Sequence, residues 1–248
     1  MAGEGDAAGP PTAVVTGGGS GIGAACAARL AEAGNMVVLV GRRPDPLAEV
    51  ARTIVAAGGA AQAFPADIRD WDRLGELREA ITGWSDRVDV LVNAAGGQFH
   101  APAEELTPSA WRAVVETNLT GTFFVSRQLF PLLSRRGGAI VNVVASVWQR
   151  PFPGMAHSGA ARAGVVSLTR TLALEWAAHG IRVNALSPGF TDTPAFRSQV
   201  GDLSGPAARV PLRRVATPEE VADAALFLAR SAYTTGEVLT IDGGFQLT

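Results

Sequence analysis

Short apolar segments alternate with longer amphipathic segments from one end of the chain to the other. Several of the short segments are almost continuous aliphatic runs, such as Met36-Val-Val-Leu-Val40 and Val88-Asp-Val-Leu-Val92. Strands have this composition when helices cover both faces of a parallel sheet, because neither face then meets water. The alternation predicts an α/β fold with right-handed crossovers, in which a seven-stranded parallel sheet is doubly wound. The predicted strands are residues 12–16, 36–40, 61–65, 88–92, 138–144, 181–187 and 237–241.

The length of the chain suits one domain. Its 248 residues are 47% hydrophobic, which is enough for a single sizeable core, and we find neither an internal repeat nor a separating linker. Residues 1–11 are rich in Ala, Gly and Pro and are predicted to form a flexible tail ahead of one domain over 12–248. Residues 192–214, rich in Gly, Pro and Ser, are predicted to form a mobile substrate flap.

Charge and cysteine content narrow the function classes. The formal net charge is −2 and the basic residues are dispersed, so no patch for nucleic acid or an anionic membrane is expected. The single cysteine, Cys26, excludes an internal disulfide and suits a reducing compartment. No apolar run reaches the roughly 18 residues of a membrane span, and residues 1–11 do not resemble a signal peptide. We therefore expect a cytoplasmic protein, and we predict no metal site.

A glycine-rich loop follows the first predicted strand and opens the first helix. Its sequence is Thr16-Gly17-Gly18-Gly19-Ser20-Gly21-Ile22-Gly23. Glycines at such a turn let the backbone approach a pyrophosphate, which the free N–H groups of the helix N-terminus then bind. Strand, loop and helix in this order predict a Rossmann-type dinucleotide site. The residues predicted to contact the cofactor there are Gly17, Gly19, Ser20, Gly21, Ile22 and Gly23.

The end of the second strand predicts which nicotinamide cofactor is used. NAD-binding sites of this type place an acidic residue there to bind the ribose 2′-hydroxyl. This chain has Gly41-Arg42-Arg43 instead. A guanidinium presents a planar set of donors that matches phosphate oxygens, so Arg42 and Arg43 favour the 2′-phosphate of NADP(H).

Further motifs follow the other strands in a fixed order. They are Asp67-Ile68, Asn93-Ala94-Ala95-Gly96, Glu116-Thr117-Asn118-Leu119, Ser187-Pro188-Gly189 and Asp242-Gly243-Gly244. With the glycine-rich loop, this set resembles the short-chain dehydrogenase/reductase family over residues 12–246.

The resemblance carries implications for binding and assembly. It implies an adenine contact near Asp67 and Ile68, and a cofactor floor that includes Asn93, Ala94 and Gly96. It also implies nicotinamide contacts from Pro188, Gly189, Thr191 and Thr193. The resemblance also implies a homotetramer, whose interfaces are formed partly by long helices around 119–135 and 158–178.

The catalytic residues of that family are largely replaced. The family uses a serine to orient the substrate, a tyrosine to transfer the proton, a lysine to lower the tyrosine pKa, and an asparagine to position a water. Ala145, Ser158 and Arg162 occupy the first three positions here, and Asn118 is retained. The chain contains no lysine, and its only tyrosine, Tyr233, lies near the C-terminus. The common route of ketone reduction therefore lacks its general acid, whose loss typically costs about 10²–10⁴-fold in rate.

Reduction of a C=C bond conjugated to a thioester makes a different demand. Hydride adds to the β-carbon and the negative charge appears on the thioester oxygen. The hydroxyl of Ser158 and the fixed positive charge of Arg162 can stabilise that oxygen or hold the nicotinamide ribose. Gly96-Gly97-Gln98-Phe99, Glu116-Thr-Asn-Leu-Thr-Gly-Thr-Phe123 and His157-Ser-Gly-Ala-Ala-Arg-Ala-Gly164 resemble the peroxisomal trans-2-enoyl-CoA reductase branch, which is similar to the 2,4-dienoyl-CoA reductases. We predict NADPH-dependent reduction of an enoyl thioester, on CoA or a carrier protein, with Asn118, Ser158 and Arg162 as the catalytic set.

Two other functions remain open. One is a carbonyl reductase or alcohol dehydrogenase whose proton donor is Ser158, Ser146, His157 or water. The other is a redox-neutral enzyme, or an NADPH-binding protein that is not a reductase. Ser146 lies one residue beyond the usual serine position, and on a strand that step turns a side chain to the opposite face. His157 titrates near neutrality and adjoins the site, but it can equally pack inside its helix.

Overall fold

A computed structural model describes residues 9–248, so most of the predicted tail lies outside the described residues. Seven strands form one sheet in the order β3-β2-β1-β4-β5-β6-β7, and every pairing is parallel. The predicted sheet is confirmed, and the strand ends differ from the prediction by two residues at most. The strands are β1 Thr12–Thr16, β2 Met36–Gly41, β3 Ala60–Pro65, β4 Val90–Asn93, β5 Gly138–Val143, β6 Ile181–Pro188 and β7 Val238–Ile241.

Helices connect these strands and cover the sheet. Their bounds are α1 Gly21–Glu32, α2 Pro44–Ala56, α3 Trp71–Thr82, α4 Pro108–Val115, α5 Gly121–Leu133, α6 Ala156–Trp176, α7 Pro194–Val200, α8 Ser204–Ala208 and α9 Pro218–Arg230. A π-helical turn, Glu116–Thr120, joins α4 to α5. The long helix predicted around 119–135 therefore starts earlier, at Pro108, and changes its winding at the π-turn. The predicted flap carries α7 and α8.

Successive strand residues feed two separate cores, one on each face of the sheet. Val15 packs in the cluster that includes Leu30 of α1, whereas its neighbour Val14 packs in the cluster that includes Leu129 of α5. Both valines are completely buried. Side chains alternate across a strand, so this division explains why the strands are apolar without interruption. No helix within residues 9–248 has the length and apolar character needed to span a membrane.

The strand order places the functional end of the molecule. The chain moves outward from β1 through β2 to β3, and then returns to the other side of β1 as β4. The loops after β1 and β4 therefore diverge at the carboxyl edge of the sheet. In open α/β sheets, ligands bind in the crevice at this point.

Candidate active site

The loop between β1 and α1 adopts a conformation that requires glycine. Gly17 and Gly21 have φ values of +69° and +53°. A Cβ atom on Gly23 would lie 2.2 Å from the carbonyl oxygen of Gly17, so only hydrogen fits between loop and helix. Ser20 is the N-cap residue of α1, but its side chain makes no capping hydrogen bond. The helix N-terminus thus lacks a side-chain cap and faces the crevice, as an anion site requires.

A cleft of about 170 Å³ opens beside this loop. Its walls come from the carboxyl ends of β1, β2, β3 and β4, so residues far apart in sequence meet there. The predicted cofactor residues that line it are Gly17, Gly19, Ser20, Arg42, Arg43, Asp67, Ile68 and Gly96.

At one end of the cleft, one acidic side chain is paired with an arginine, whereas two other arginines have no partner in the part of the chain that the structure describes. Asp67 is paired with Arg69, whose Nη2 lies 2.6 Å from Oδ2 and whose Nε lies 3.0 Å from Oδ1. This pairing lowers the pKa of the Asp67 carboxyl below its usual value. Arg42 and Arg43 are exposed, and across residues 9–248 neither forms a salt bridge or a side-chain hydrogen bond. Two guanidinium groups are therefore available to an anionic ligand.

The other predicted cofactor residues surround the cleft without all facing it. The Asn93 side chain is buried and donates to Ser126 Oγ at 3.1 Å and to Asn142 Oδ1 at 2.9 Å, so it fastens the end of β4. Thr193 approaches the glycine-rich loop, since a Cβ on Gly21 would lie 3.1 Å from its Cγ2. The remaining predicted residues are Ile22 and Gly23 in α1, Ala94 after β4, Pro188 at the end of β6, and Gly189 and Thr191 beyond it.

Arg162 lies in α6 and projects toward the loop after β4. Its Nη1 donates to the carbonyl oxygen of Val143 at 2.8 Å, while its Nε is buried without a hydrogen-bond partner. A Cβ on Gly96 would lie 2.5 Å from Nη2, so the guanidinium occupies the space that a side chain at 96 would fill. Burial lowers the pKa of Arg162 to about 10, and no described carboxylate pairs with it. The group stays charged at neutral pH, and the site holds a buried cation without a counter-ion.

Asn118 lies in the π-turn and holds the same loop. Its Oδ1 accepts from the N–H of Gly97 at 3.1 Å, and its Nδ2 donates to the carbonyl of Gly97 at 2.7 Å. The second Nδ2 hydrogen goes to the carbonyl of Val114 at 2.9 Å. The amide is completely buried and both of its ends are occupied. π-turns often occur at functional sites, and here the turn aims Asn118 at the loop.

Ser158 is buried and already donates its hydroxyl hydrogen. Its Oγ lies 2.7 Å from Oε1 of Gln98. The expectation that Ser146 lies on a strand is wrong, because β5 ends at Val143 and Ser146 begins a 3₁₀ turn. The rule of alternating strand faces therefore does not apply to it.

His157 packs against an aromatic ring. Its imidazole is completely buried and contacts Phe99 edge-to-face, with 4.5 Å between ring centroids. Neither ring nitrogen meets hydrogen-bond geometry. Burial lowers the pKa of His157, although the nearby backbone of Met155 and Phe99 acts in the opposite direction. The neutral imidazole thus serves as packing.

Sequence reasoning missed Gln98, the side chain that Ser158 contacts. The residue stands in the Gly96-Gly97-Gln98-Phe99 motif, so its position was marked but its partner was not. Across residues 9–248, no cluster of His, Cys, Asp and Glu is suited to hold a metal ion. Burial raises the pKa of Cys26 to about 12, so that thiol is not a nucleophile at neutral pH.

Comparison with known proteins adds to this geometry. A family model described as enoyl-(acyl carrier protein) reductase matches residues 17–246. The chain is 39% identical to a probable 2,4-dienoyl-CoA reductase of Bacillus subtilis, over 93% of this chain and 94% of that protein. It is 41% identical to the cis-4-hydroxycyclohexanecarboxylate dehydrogenase of Sinomonas cyclohexanicum, over 97% and 98% of the two chains. It also matches a gluconate 5-dehydrogenase from Burkholderia cenocepacia, solved in complex with NADP and tartrate. There the TM-score is 0.90 and the identity 31%, with 96% of each chain covered.

Proposed function

The chain belongs to the short-chain dehydrogenase/reductase family, and on that premise we propose that it reduces the C=C bond of an enoyl thioester with NADPH. The family is one of oxidoreductases, and the finer assignment comes from the site. The observation that carries it is Arg162, a buried guanidinium without a counter-ion beside the loop at Gly96. A permanent cation there stabilises an oxyanion but transfers no proton, which suits an enolate better than an alkoxide.

The residues of the cleft fit a dinucleotide phosphate. A Cβ at Gly17 or Gly23 would collide with the protein's own backbone, so glycine at these positions lets the loop pack closely against α1 and the segment after β4 in the shape typical of a dinucleotide-binding loop. We assign the pyrophosphate to the loop of Gly17, Gly19, Ser20 and Gly21, and the 2′-phosphate to Arg42 and Arg43. The gluconate 5-dehydrogenase complex with NADP supports this choice of cofactor. When bound, the reduced nicotinamide supplies the hydride.

The chain's own residues then have separate tasks. Arg162 holds positive charge where the thioester oxygen gains electrons, and Val143 fixes its orientation through one carbonyl. Asn118 fastens the backbone of Gly97, so the loop beside the substrate keeps its shape. Ser158 donates its hydroxyl hydrogen to Gln98 and therefore acts as a positioning group. We assign the proton on the substrate α-carbon to water, because the imidazole of His157 is buried against Phe99 and neither of its nitrogens has a hydrogen-bond partner among residues 9–248.

A carbonyl reductase or alcohol dehydrogenase is the second candidate. The Sinomonas relative, named as a dehydrogenase of a hydroxy acid, favours it. Carbonyl reduction requires a proton on the nascent alkoxide. Ser146 follows the usual serine position by one residue and begins a 3₁₀ turn, but its hydroxyl is a weak acid at neutral pH.

One parallel assay separates the two candidates. The purified protein is given NADPH with either a trans-2-enoyl-CoA or a 3-ketoacyl-CoA, and NADPH consumption and the products are followed. We expect consumption with the enoyl thioester and formation of the saturated acyl-CoA. Turnover of the ketone alone would refute enoyl reduction, and NADPH binding without turnover of either would favour a non-reductase.

We also propose that the protein assembles as a homotetramer through α4, α5 and α6. Trp111, Phe123 and Leu174 expose 39%, 38% and 82% of their surface on these helices, which suits burial against other copies. Light scattering after gel filtration is expected to give about four times the 25.6 kDa of one chain. A monomeric mass would contradict the assembly.

A further inference from the structure

We propose that Gln98 is a substrate-contacting hydrogen-bond donor, and that its side-chain amide takes the place of the hydroxyl that a tyrosine at position 158 would offer. The inference rests on the proposed function and identifies the group that faces the substrate oxygen together with Arg162. Ser158 donates to Oε1 of Gln98, so the oxygen end of that amide faces α6.

The nitrogen end of the same amide is free. Across residues 9–248, Gln98 Nε2 makes no hydrogen bond, and it is not among the buried polar atoms that lack a partner. The residue is half-buried, whereas Ser158 is completely buried. Two N–H donors therefore lie on the open side of the Ser158 contact. A Cβ on the preceding Gly97 would meet nothing within 4 Å, so the loop is also open beside that residue.

The amide is also held in place before any ligand arrives. Asn118 binds both the N–H and the carbonyl of Gly97. Gln199 of α7 donates from Nε2 to the carbonyl of Gln98 at 3.3 Å, and Ser158 fixes the side chain at 2.7 Å. A donor stabilises a transition state most when its orientation costs nothing at the moment of reaction. These contacts explain why Asn118 and Ser158 are useful in a site that lacks tyrosine and lysine.

Gln98, on the loop after β4, and Arg162, on α6, lie close to each other in the fold. Arg162 Nη2 lies against Gly96, two residues before Gln98, and the contact of Gln98 with Ser158 is one helical turn from Arg162 on α6. A neutral N–H donor and a fixed cation together suit a developing thioester enolate. A neutral amide does not release a proton near neutral pH, so Gln98 stabilises the oxyanion only. Water then protonates the α-carbon of the substrate.

The test compares Gln98→Met, Gln98→Glu and the wild-type protein with NADPH and a trans-2-enoyl-CoA. Removal of the donor in Gln98→Met is expected to lower kcat by about 10²–10³-fold. The Kd for NADPH and the Tm are expected to stay near the wild-type values. Gln62→Met is the matched control, because Gln62 is an exposed glutamine on β3, away from the crevice, and its kcat should be unchanged.

Gln98→Glu supplies a readout that a purely structural role would not alter. The carboxylate keeps the acceptor for Ser158 but cannot donate, whereas the protonated acid regains a donor. Its kcat should therefore rise, relative to that of the wild-type protein, as the pH falls toward the pKa of the new carboxyl, which the nearby Arg162 cation is expected to hold below the ordinary Glu value of about 4.3. Ser158→Ala, which frees the amide to rotate, is expected to lower kcat by about tenfold with an unchanged NADPH Kd.

The outcomes separate this inference from the proposed function. If the wild-type protein reduces the 3-ketoacyl-CoA but not the enoyl thioester, the proposed function fails, and the same variants are then compared on the ketone. A kcat loss of the stated size on either substrate supports Gln98 as the donor. A Gln98→Met protein that keeps kcat, a Gln98→Glu protein with the wild-type pH profile, or a wild-type protein inactive on both substrates would overturn the assignment.

Discussion

Arg162→Met is expected to abolish catalysis without weakening the fold. Most removals of a buried, hydrogen-bonded side chain destabilise a protein. Arg162 differs because it is a cation without a counter-ion, bound to a single carbonyl, with a buried Nε that has no partner. Methionine replaces the apolar stem of arginine as far as Nε and removes the charge together with the two Nη atoms.

The expected size follows from the pKa. Burial lowers the pKa of Arg162 from its ordinary value to about 10. At 1.36 kcal/mol per pKa unit, the charged form costs the folded state about 3 kcal/mol at pH 7. Against this, the carbonyl of Val143 loses its donor, which costs about 1–3 kcal/mol. The free energy of unfolding should therefore stay the same or rise by about 2 kcal/mol.

The pH dependence has a definite sign. The guanidinium is penalised in the folded protein at every pH below its folded pKa of about 10. As pH rises from that value toward the higher pKa of the unfolded state, the proton leaves the folded state first and the penalty disappears. The stability advantage of Arg162→Met should consequently shrink in alkaline buffer.

Arg182→Met is the matched control. Burial lowers the pKa of Arg182 as well, but its guanidinium donates to the carbonyls of Leu228, Ala229 and Thr234 around the end of α9. Removing it leaves carbonyls without donors, so a loss of about 2 kcal/mol or more is expected. Urea unfolding of both variants provides the comparison. A loss for Arg162→Met as large as that for Arg182→Met, or retained enoyl reduction, would refute the reasoning.

Three further variants test other parts of the site. Arg42→Ala combined with Arg43→Ala should weaken NADPH binding roughly tenfold or more and NADH binding much less, in a fluorescence titration; an equal loss would contradict a 2′-phosphate site. His157→Phe should raise Tm and leave the pH profile of kcat unchanged, because a neutral ring with two unpartnered nitrogens is replaced by an apolar one; an altered profile would identify His157 as a proton donor. Gly96→Ala should lower kcat sharply, since the new Cβ would lie 2.5 Å from Arg162 Nη2, and unchanged kinetics would show that the guanidinium can move freely.

The sequence predicted the fold closely because strand burial controls it. Strands buried on both faces must be apolar throughout, and the alternation of such segments with helical stretches is typical of α/β folds with a parallel sheet. The helix predicted around 119–135 was less accurate. Its N-terminal extension to Pro108 passes through the π-turn at Glu116–Thr120, and a π-turn has no marked sequence period. The turn is set by the contacts of Asn118, which join segments 21 residues apart.

The sequence motifs indicated which residues lie at the site, but not which side chains contact each other there. Arg42, Arg43 and the glycine-rich loop could be located because each follows a strand directly, and strand ends meet at one edge of the sheet. The contact between Ser158 and Gln98 spans 60 residues and depends on how the β4 loop folds over α6. Nothing in the residue pattern specifies which end of an amide faces a hydroxyl. That orientation decides whether Ser158 or Gln98 meets the substrate.

The absence of an acid in the site bears on which bond is reduced. Hydride transfer to a ketone builds a localised, strongly basic charge on oxygen in the transition state, where a general acid normally delivers a proton, and a neutral amide and a permanent guanidinium deliver none. A conjugated thioester that receives hydride leaves a delocalised enolate, whose oxygen needs stabilisation and whose carbon can be protonated by water afterwards. Gln98 and Arg162 stabilise the enolate oxygen, and protonation of the carbon by water requires no side chain. Loss of the tyrosine alone, or of the lysine alone, would leave a residue whose function depends on its missing partner. Replacement of both therefore favours an enoyl thioester as the substrate.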